Sequence, residues 1–80
     1  MIVQLSKLKE GMKGIVVKVS GGRGAVKRLY DMGLVPGAKI RIVRNALFRG
    51  PVEIEVKGSR LVIGRGLASR VLVSVGGSTS

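Results

Sequence analysis

The 80-residue chain predicts a mainly β domain, a small closed or nearly closed antiparallel barrel of about five strands with one short helix between the first two long strands. Three observations lead there. Apolar residues alternate with period two in 13–19, 39–46, 52–56, 60–63 and 71–75, and turn-forming residues punctuate these runs. One stretch alone, 24–32, places its apolar residues at helical spacing. A chain this short buries a little over roughly 60% of its unfolded surface, so one modest core must serve every strand and a sandwich is out of reach. Periodicity by itself leaves an SH3-like and an OB-like barrel both open.

The opening turn, 6–11, lets Leu5 and Leu8 tuck under the sheet and plug one barrel end. In 13–19, Ile15, Val17 and Val19 share one face, and Val16 and Lys18 share the other with Ser20. Residues 20–24, Ser-Gly-Gly-Arg-Gly, break that strand and open the helix, with Ser20 or a glycine supplying the permissive backbone. Ala25, Leu29 and Met32 then fall on one helical face, widened by Val26 and Tyr30. Gly33 stops the helix where a left-handed backbone is needed, Leu34 supplies the apolar contact of such a cap, and Pro36-Gly37 turns the chain. Asp31 opposes the helix dipole, so compensation is expected from Lys27, Arg28 or the N–H groups of the following turn.

Strand 39–46 puts Ile40 and Ile42 inward and Lys39, Arg41 and Arg44 outward. A hairpin connection at 47–51 follows, after which Val52, Ile54 and Val56 alternate with Glu53, Glu55 and Lys57. The two glutamates are placed for cross-strand pairing with Arg41 or Arg44 in preference to a divalent ion. Lys57-Gly58 turns the chain into 60–63, residues 64–68 form a compact bend of the 3₁₀ kind, and Val71, Val73 and Val75 face in. The domain is 1–75. Residues 76–80, all Gly, Ser or Thr, have nothing to bury and are expected to be disordered.

Fifteen Lys and Arg against four acids give a net charge of +11, which attracts nucleic acid, acidic protein surfaces and anionic membrane leaflets alike. Catalysis lacks its groups. There is no His and no Cys, carboxylates occur only at Glu10, Asp31, Glu53 and Glu55, and no base stands beside a Ser or Thr, so the chain reads as not an enzyme. A ferrous site recruits imidazole, carboxylate or thiolate. Two of these are absent and Met12 and Met32 read as core or helix-face residues, so neither a metal nor another cofactor is expected. No phosphate-cradling P-loop is present, and Gly21-x-x-Gly24, spelled like the backbone clamp of KH domains, follows a strand instead of a helix. Sheet-face recognition of RNA wants several aromatics, and only Tyr30 and Phe48 exist. No apolar run approaches the roughly 20 residues of a membrane span, and the first residues lack a secretory apolar region, so a cytoplasmic location is expected.

The run Arg28-Leu29-Tyr30-Asp31-Met32-Gly33-Leu34-Val35-Pro36-Gly37, preceded by Leu5-x-x-Leu8-x-x-Gly11 and followed by a basic alternating strand, resembles the ferrous iron transport protein A (FeoA) family. The likeness extends from Leu5 to Val75 and includes Gly50-Pro51, the Lys57-Gly58 turn and Ala68 ahead of Val71-Leu72-Val73. The resemblance implies the SH3-like version of the barrel and a cytoplasmic, non-enzymatic accessory of ferrous iron uptake. It also implies the partner, ferrous iron transport protein B, a membrane protein with a cytoplasmic GTP-binding domain. The same barrel ends some iron-dependent transcription regulators, so the alternative is a basic nucleic-acid-binding module or repressor-type end domain. The missing recognition helix and scarce aromatics weigh against it.

The partner site is expected at Arg28, Leu29, Tyr30, Met32 and Leu34 together with Leu47, Phe48 and Arg49, bordering an apolar groove. Arg23, Lys27, Arg41 and Arg44 form its basic rim, fitted to an acidic and apolar partner segment. For Leu29 and Met32 the wholly core reading is the favoured one. Self-association through strand edges stays open, as does peripheral membrane contact.

Overall fold

The computed structural model describes residues 1–46 and 50–76. Among them six strands, β1 (Ile2–Gln4), β2 (Lys13–Val19), β3 (Lys39–Asn45), β4 (Val52–Val56), β5 (Ser59–Ile63) and β6 (Val71–Ser74), form one antiparallel sheet in the order β1-β6-β2-β3-β4-β5. It coils into an SH3-like barrel. The inward side chains Val16, Ile40, Ile42, Val52, Ile54, Val56, Ile63, Val71 and Val73 are all at most 3% exposed. Leu5 and Leu8 are buried with them, as the plugging turn requires; Leu5 opens a 3₁₀ turn, Leu5–Lys7. The bend before β6 is a single α-helical turn, α2 (Arg65–Ala68), not a 3₁₀ turn. A hydrogen bond of 3.0 Å between the Ser6 and Ser69 hydroxyls ties the 3₁₀ turn to the end of α2.

The barrel has one strand more than alternation predicts. β1 is three residues long and pairs with β6, and three residues are too few for a period to register. In β2 the apolar-rich face is also not the buried one. Val16 faces the core at 1% exposure, whereas Ile15 and Val17 are 45% and 41% exposed. The register of β2 on β6 shifts between Val16 and Lys18, so one extra residue is accommodated there and strict alternation fails. In β3 and β4 the predicted alternation holds over the core positions, with a second bulge between Ile42 and Arg44 that turns Asn45 inward.

The helix, α1 (Arg23–Asp31), starts after Gly22, whose extended backbone provides the cap position without any side-chain hydrogen bond. The Ser20 hydroxyl instead donates to the Arg70 carbonyl at 3.3 Å. Leu29 is the fully buried helical residue, while Ala25 and Val26 are half-buried. Burying one such leucine contributes about 1.5–3 kcal/mol, enough to hold a nine-residue helix that is marginal alone. At the other end Leu34 N–H donates to Leu29 O and Gly33 N–H to Tyr30 O, both at 2.9 Å, with Gly33 at φ +93°. This is the Schellman arrangement, and Leu34 is fully buried as its apolar contact. Lys27 holds Asp31 at 3.1 Å across one exposed helical turn.

A Cβ at position 33 would meet nothing nearer than Lys57 Cδ at 4.0 Å, so substitution there acts through the backbone alone. Gly33→Ala is expected to lower stability by about 1 kcal/mol. Thermal unfolding should show this as a midpoint fall of roughly 4–8 °C. Gly33→Asn, which tolerates the left-handed region better, should recover part of it.

Candidate functional site

The helix side of the predicted site is largely packed into the core. Leu29 and Leu34 are completely buried and Met32 is half-buried against the core, so three of the five helix-side positions serve packing. The reason is size: a domain with one core has no spare apolar helix face to leave open. Tyr30, 44% exposed, and the exposed Arg23, Lys27 and Arg28 remain on the surface of α1. Leu47, Phe48 and Arg49 lie outside the described residues.

A groove of about 630 Å³ instead opens on the outer face of the sheet, where β2, β3 and β4 run side by side and the end of β6 closes one wall. Its lining comes from four separate stretches: Lys13, Gly14 and Ile15; Lys39, Ile40 and Arg41; Glu55, Lys57 and Gly58; Ser74 and Gly76. Register explains the assembly. Ile2, Ser74, Ile15 and Lys39 are direct cross-strand neighbours on β1, β6, β2 and β3. Two residues along, and therefore on the same face, Lys13, Arg41, Glu55 and Arg60 form a second row across β2 to β5. An exposed apolar floor around Ile15 is thus bordered by basic side chains.

Arg41 donates from Nε and Nη2 to the same Glu55 oxygen, at 3.1 and 3.0 Å. The pair is the predicted cross-strand partnership, and being about a third exposed it stabilises by at most about 1 kcal/mol. It also neutralises the groove's one acid. Lys13, Lys39 and Lys57 are exposed and enter no ion pair among the described residues. Of the predicted rim, only Arg41 borders this groove. Arg44 is exposed on β3 opposite Glu53, and Arg23 and Lys27 belong to α1.

Lys57 is the one non-glycine residue with positive φ among the described residues, at +53°, followed by Gly58 at +79°. Two consecutive left-handed residues joining β4 to β5 make a type I′ hairpin turn, whose first position suits Asn, Asp or Gly. Holding a lysine there costs roughly 1–2 kcal/mol of backbone energy.

Sequence reasoning did not assign Lys13, Lys39 or Lys57 to a site. The available signal was the alternation of Lys39 and Arg41 with Ile40 and Ile42, and a lysine in place of the usual turn residue before Gly58. Among the described residues no cluster of three or more His, Cys, Asp or Glu is arranged to hold a metal ion, and no helix is long and apolar enough to cross a membrane.

Fold and sheet register together define an SH3-like barrel with a basic outer groove. The chain belongs to the FeoA domain family, whose profile it matches over residues 3–75. It is 46% identical over 69 residues to a protein of Methanocaldococcus jannaschii assigned as Fe(2+) transport protein A, covering 86% of this chain and 82% of that protein. It also superimposes on the crystal structure of an iron uptake regulatory protein (FeoA) with a TM-score of 0.87 and 48% identity, covering 91% of this chain and 96% of the other. A manganese-dependent transcriptional repressor shares the fold at a TM-score of 0.86 but only 17% identity, over 94% of this chain and 42% of the repressor.

Proposed function

We propose that this protein is a cytoplasmic, non-enzymatic accessory of ferrous iron uptake that docks on a cytoplasmic segment of the membrane transporter, ferrous iron transport protein B, through the basic groove between β2, β3 and β4. Membership of the FeoA domain family and the iron transport name of its 46% identical relative support the iron uptake part. One observation carries the docking part: Lys13, Lys39, Arg41 and Lys57 line the same groove as the exposed Ile15, and the single acid among them, Glu55, is already held by Arg41. Such a surface attracts an anionic partner and offers it apolar contact once it arrives. The carboxylates of the chain are few and three of them, Asp31, Glu53 and Glu55, sit in ion pairs with Lys27, Arg60 and Arg41, which accords with a binding role and gives chemistry little to work with.

Titrating the full chain against the soluble GTP-binding domain of its cognate transporter B should give saturable binding that weakens as salt rises but survives moderate salt. Lys39→Glu should weaken it at least about tenfold, since it removes an attraction and adds a repulsion in the groove. Absence of binding in every nucleotide state, together with tight and steeply salt-dependent binding to arbitrary duplex DNA, would overturn this reading.

A further inference from the structure

We infer that the free edge of β5 pairs with β5 of a second copy of this chain, antiparallel and with the two-fold axis at Leu61. The sheet order ends on β1 and β5, which do not pair with each other, so the barrel has two open edges. Among the described residues no backbone hydrogen bond joins β5 to any element but β4. The β4–β5 hairpin fixes which groups are left over. Val56 and Ser59 flank its two-residue turn and form a hydrogen-bonded pair, and such pairs alternate along an antiparallel ladder, so Leu61 and Ile63 also bond to β4. The N–H and C=O groups of Arg60 and Val62 therefore point outward, one residue to either side of Leu61.

This edge lacks the devices that keep strands from pairing. Short length, lysine, proline and bulges all blunt a sheet edge. β1 is blunted by its three residues, whereas β5 has five, keeps an unbroken register on β4, and carries neither lysine nor proline in a chain with fifteen Lys and Arg. Leu61 is half-buried on the inner face and Val62 is 63% exposed on the outer one, so an apolar side chain stands beside the free backbone groups on each face of the sheet.

A second copy is the occupant that the edge fits. With the two-fold axis at Leu61, Arg60 lies opposite the copy's Val62 and Val62 opposite the copy's Arg60, and both pairs turn their backbone groups toward each other, giving about four hydrogen bonds. The two Leu61 side chains meet at the close, non-hydrogen-bonded position. The copy's Arg60 arrives beside Val62, whose other neighbour is Glu53, and the ion pair of Glu53 with its own Arg60 is long, at 3.9 Å. Other registers match less well. Arg60 against Arg60 opposes like charges, and Val62 against Val62 sets Arg60 against Gly64, where β5 has ended and α2 is about to begin. An anionic partner is not favoured here, because Glu53 and Glu55, two of the chain's four acids, stand on the adjacent strand. For the same reason two molecules of net charge +11 meet along this edge with less repulsion than across the basic groove.

The test is sedimentation velocity together with amide hydrogen exchange on the isotope-labelled full chain, from about 10 μM to about 1 mM and at low and moderate salt. A parallel arm adds the transporter's soluble GTP-binding domain. An interface this small is transient, so a dimer with a dissociation constant on the order of 100 μM is expected. Its affinity should rise with salt, opposite to the docking of an anionic partner, because screening relieves the repulsion between two basic molecules. Exchange of the Arg60 and Val62 amides should slow about fourfold between the two concentrations, while the Leu61 and Ile63 amides keep one rate. Val62→Lys should weaken the dimer at least about tenfold and move the unfolding midpoint by less than about 2 °C, because the side chain it replaces is exposed. Val62→Thr, of nearly the same shape, should weaken it less than about threefold. A chain that stays monomeric at about 1 mM, slowed exchange at Ile2 and Gln4 in place of Arg60 and Val62, or a dimer unmoved by Val62→Lys would each overturn the inference. Slowing at Arg60 and Val62 that requires the transporter domain would overturn it as well, by giving the edge to a strand of that partner.

Discussion

Replacing Asn45 by alanine is expected to lower stability by about 2–4 kcal/mol, because its buried amide is the junction of a polar network. Asn45 is 6% exposed. Its Nδ2 donates to Ser6 O at 3.0 Å and Leu8 O at 2.6 Å, and its Oδ1 accepts from Arg65 Nη2 at 2.7 Å. Arg65 in turn donates to Ser6 O at 3.1 Å and Gly50 O at 3.2 Å. One side chain therefore joins the end of β3, the 3₁₀ turn, α2 and the residue that follows the 47–49 connection. Truncation takes these hydrogen bonds from the Leu8 carbonyl and the guanidinium beside the buried Asn45 position. Thermal or urea unfolding should show a midpoint drop on the order of 10–25 °C. Asn45→Asp sharpens the test. It keeps an acceptor for Arg65 but turns a carboxylate oxygen toward two carbonyls, so it should be about as damaging as alanine despite an added ion pair. A loss under about 1 kcal/mol for both would mean that the four elements hold together by apolar packing alone.

The parts of this molecule that were legible in the sequence are those whose cause is local. The helix stop at Gly33 depends on residues 29–34, so left-handed glycine, buried Leu34 and Pro36 could be read together. Inward residues of β3, β4 and β6 followed from alternation because Ile40, Ile42, Val52, Ile54, Val56, Val71 and Val73 sit on regular stretches of strand. β2 was misleading because its bulge is a property of its pairing with β6, more than 50 residues away, and nothing within 13–19 announces it. The burial of the helix side was hidden for a related reason. An amphipathic helix beside a turn looks like a docking edge, but in so small a barrel Leu29 and Leu34 are needed for the core. The groove combines residues from positions 13–15, 39–41, 55–58 and 74–76, and only strand register brings them together. Charge counting could show that cations were in excess; it could not show which of the unpaired lysines would border one groove.

Gly14→Ala is expected to be the second damaging substitution, at about 2–3 kcal/mol, through overpacking between β2 and β6. A Cβ there would overlap Val73 Cγ1 and lie 3.0 Å from the Ser74 carbonyl oxygen. Val73 cannot swing aside, because it is fully buried in the barrel core. The strands would have to separate instead. A double-mutant cycle isolates this cause. Val73→Ala alone should cost about 2–3 kcal/mol as a cavity, but combined with Gly14→Ala the losses should fall short of additive by about 1–2 kcal/mol, since the shortened side chain makes room for the new methyl. Full rescue is not expected, because the contact with the Ser74 carbonyl remains. The outcome bears on the groove as well. Gly14 lies between Lys13 and Ile15, and Ser74 is the cross-strand neighbour of Ile15, so a strand shift at this point displaces the floor of the groove and one of its lysines together. Strictly additive losses would show that β2 and β6 can part here without strain. The position of Ile15 relative to Lys13 and Lys39 would then be adjustable, and the groove floor would not be a rigid feature of the sheet.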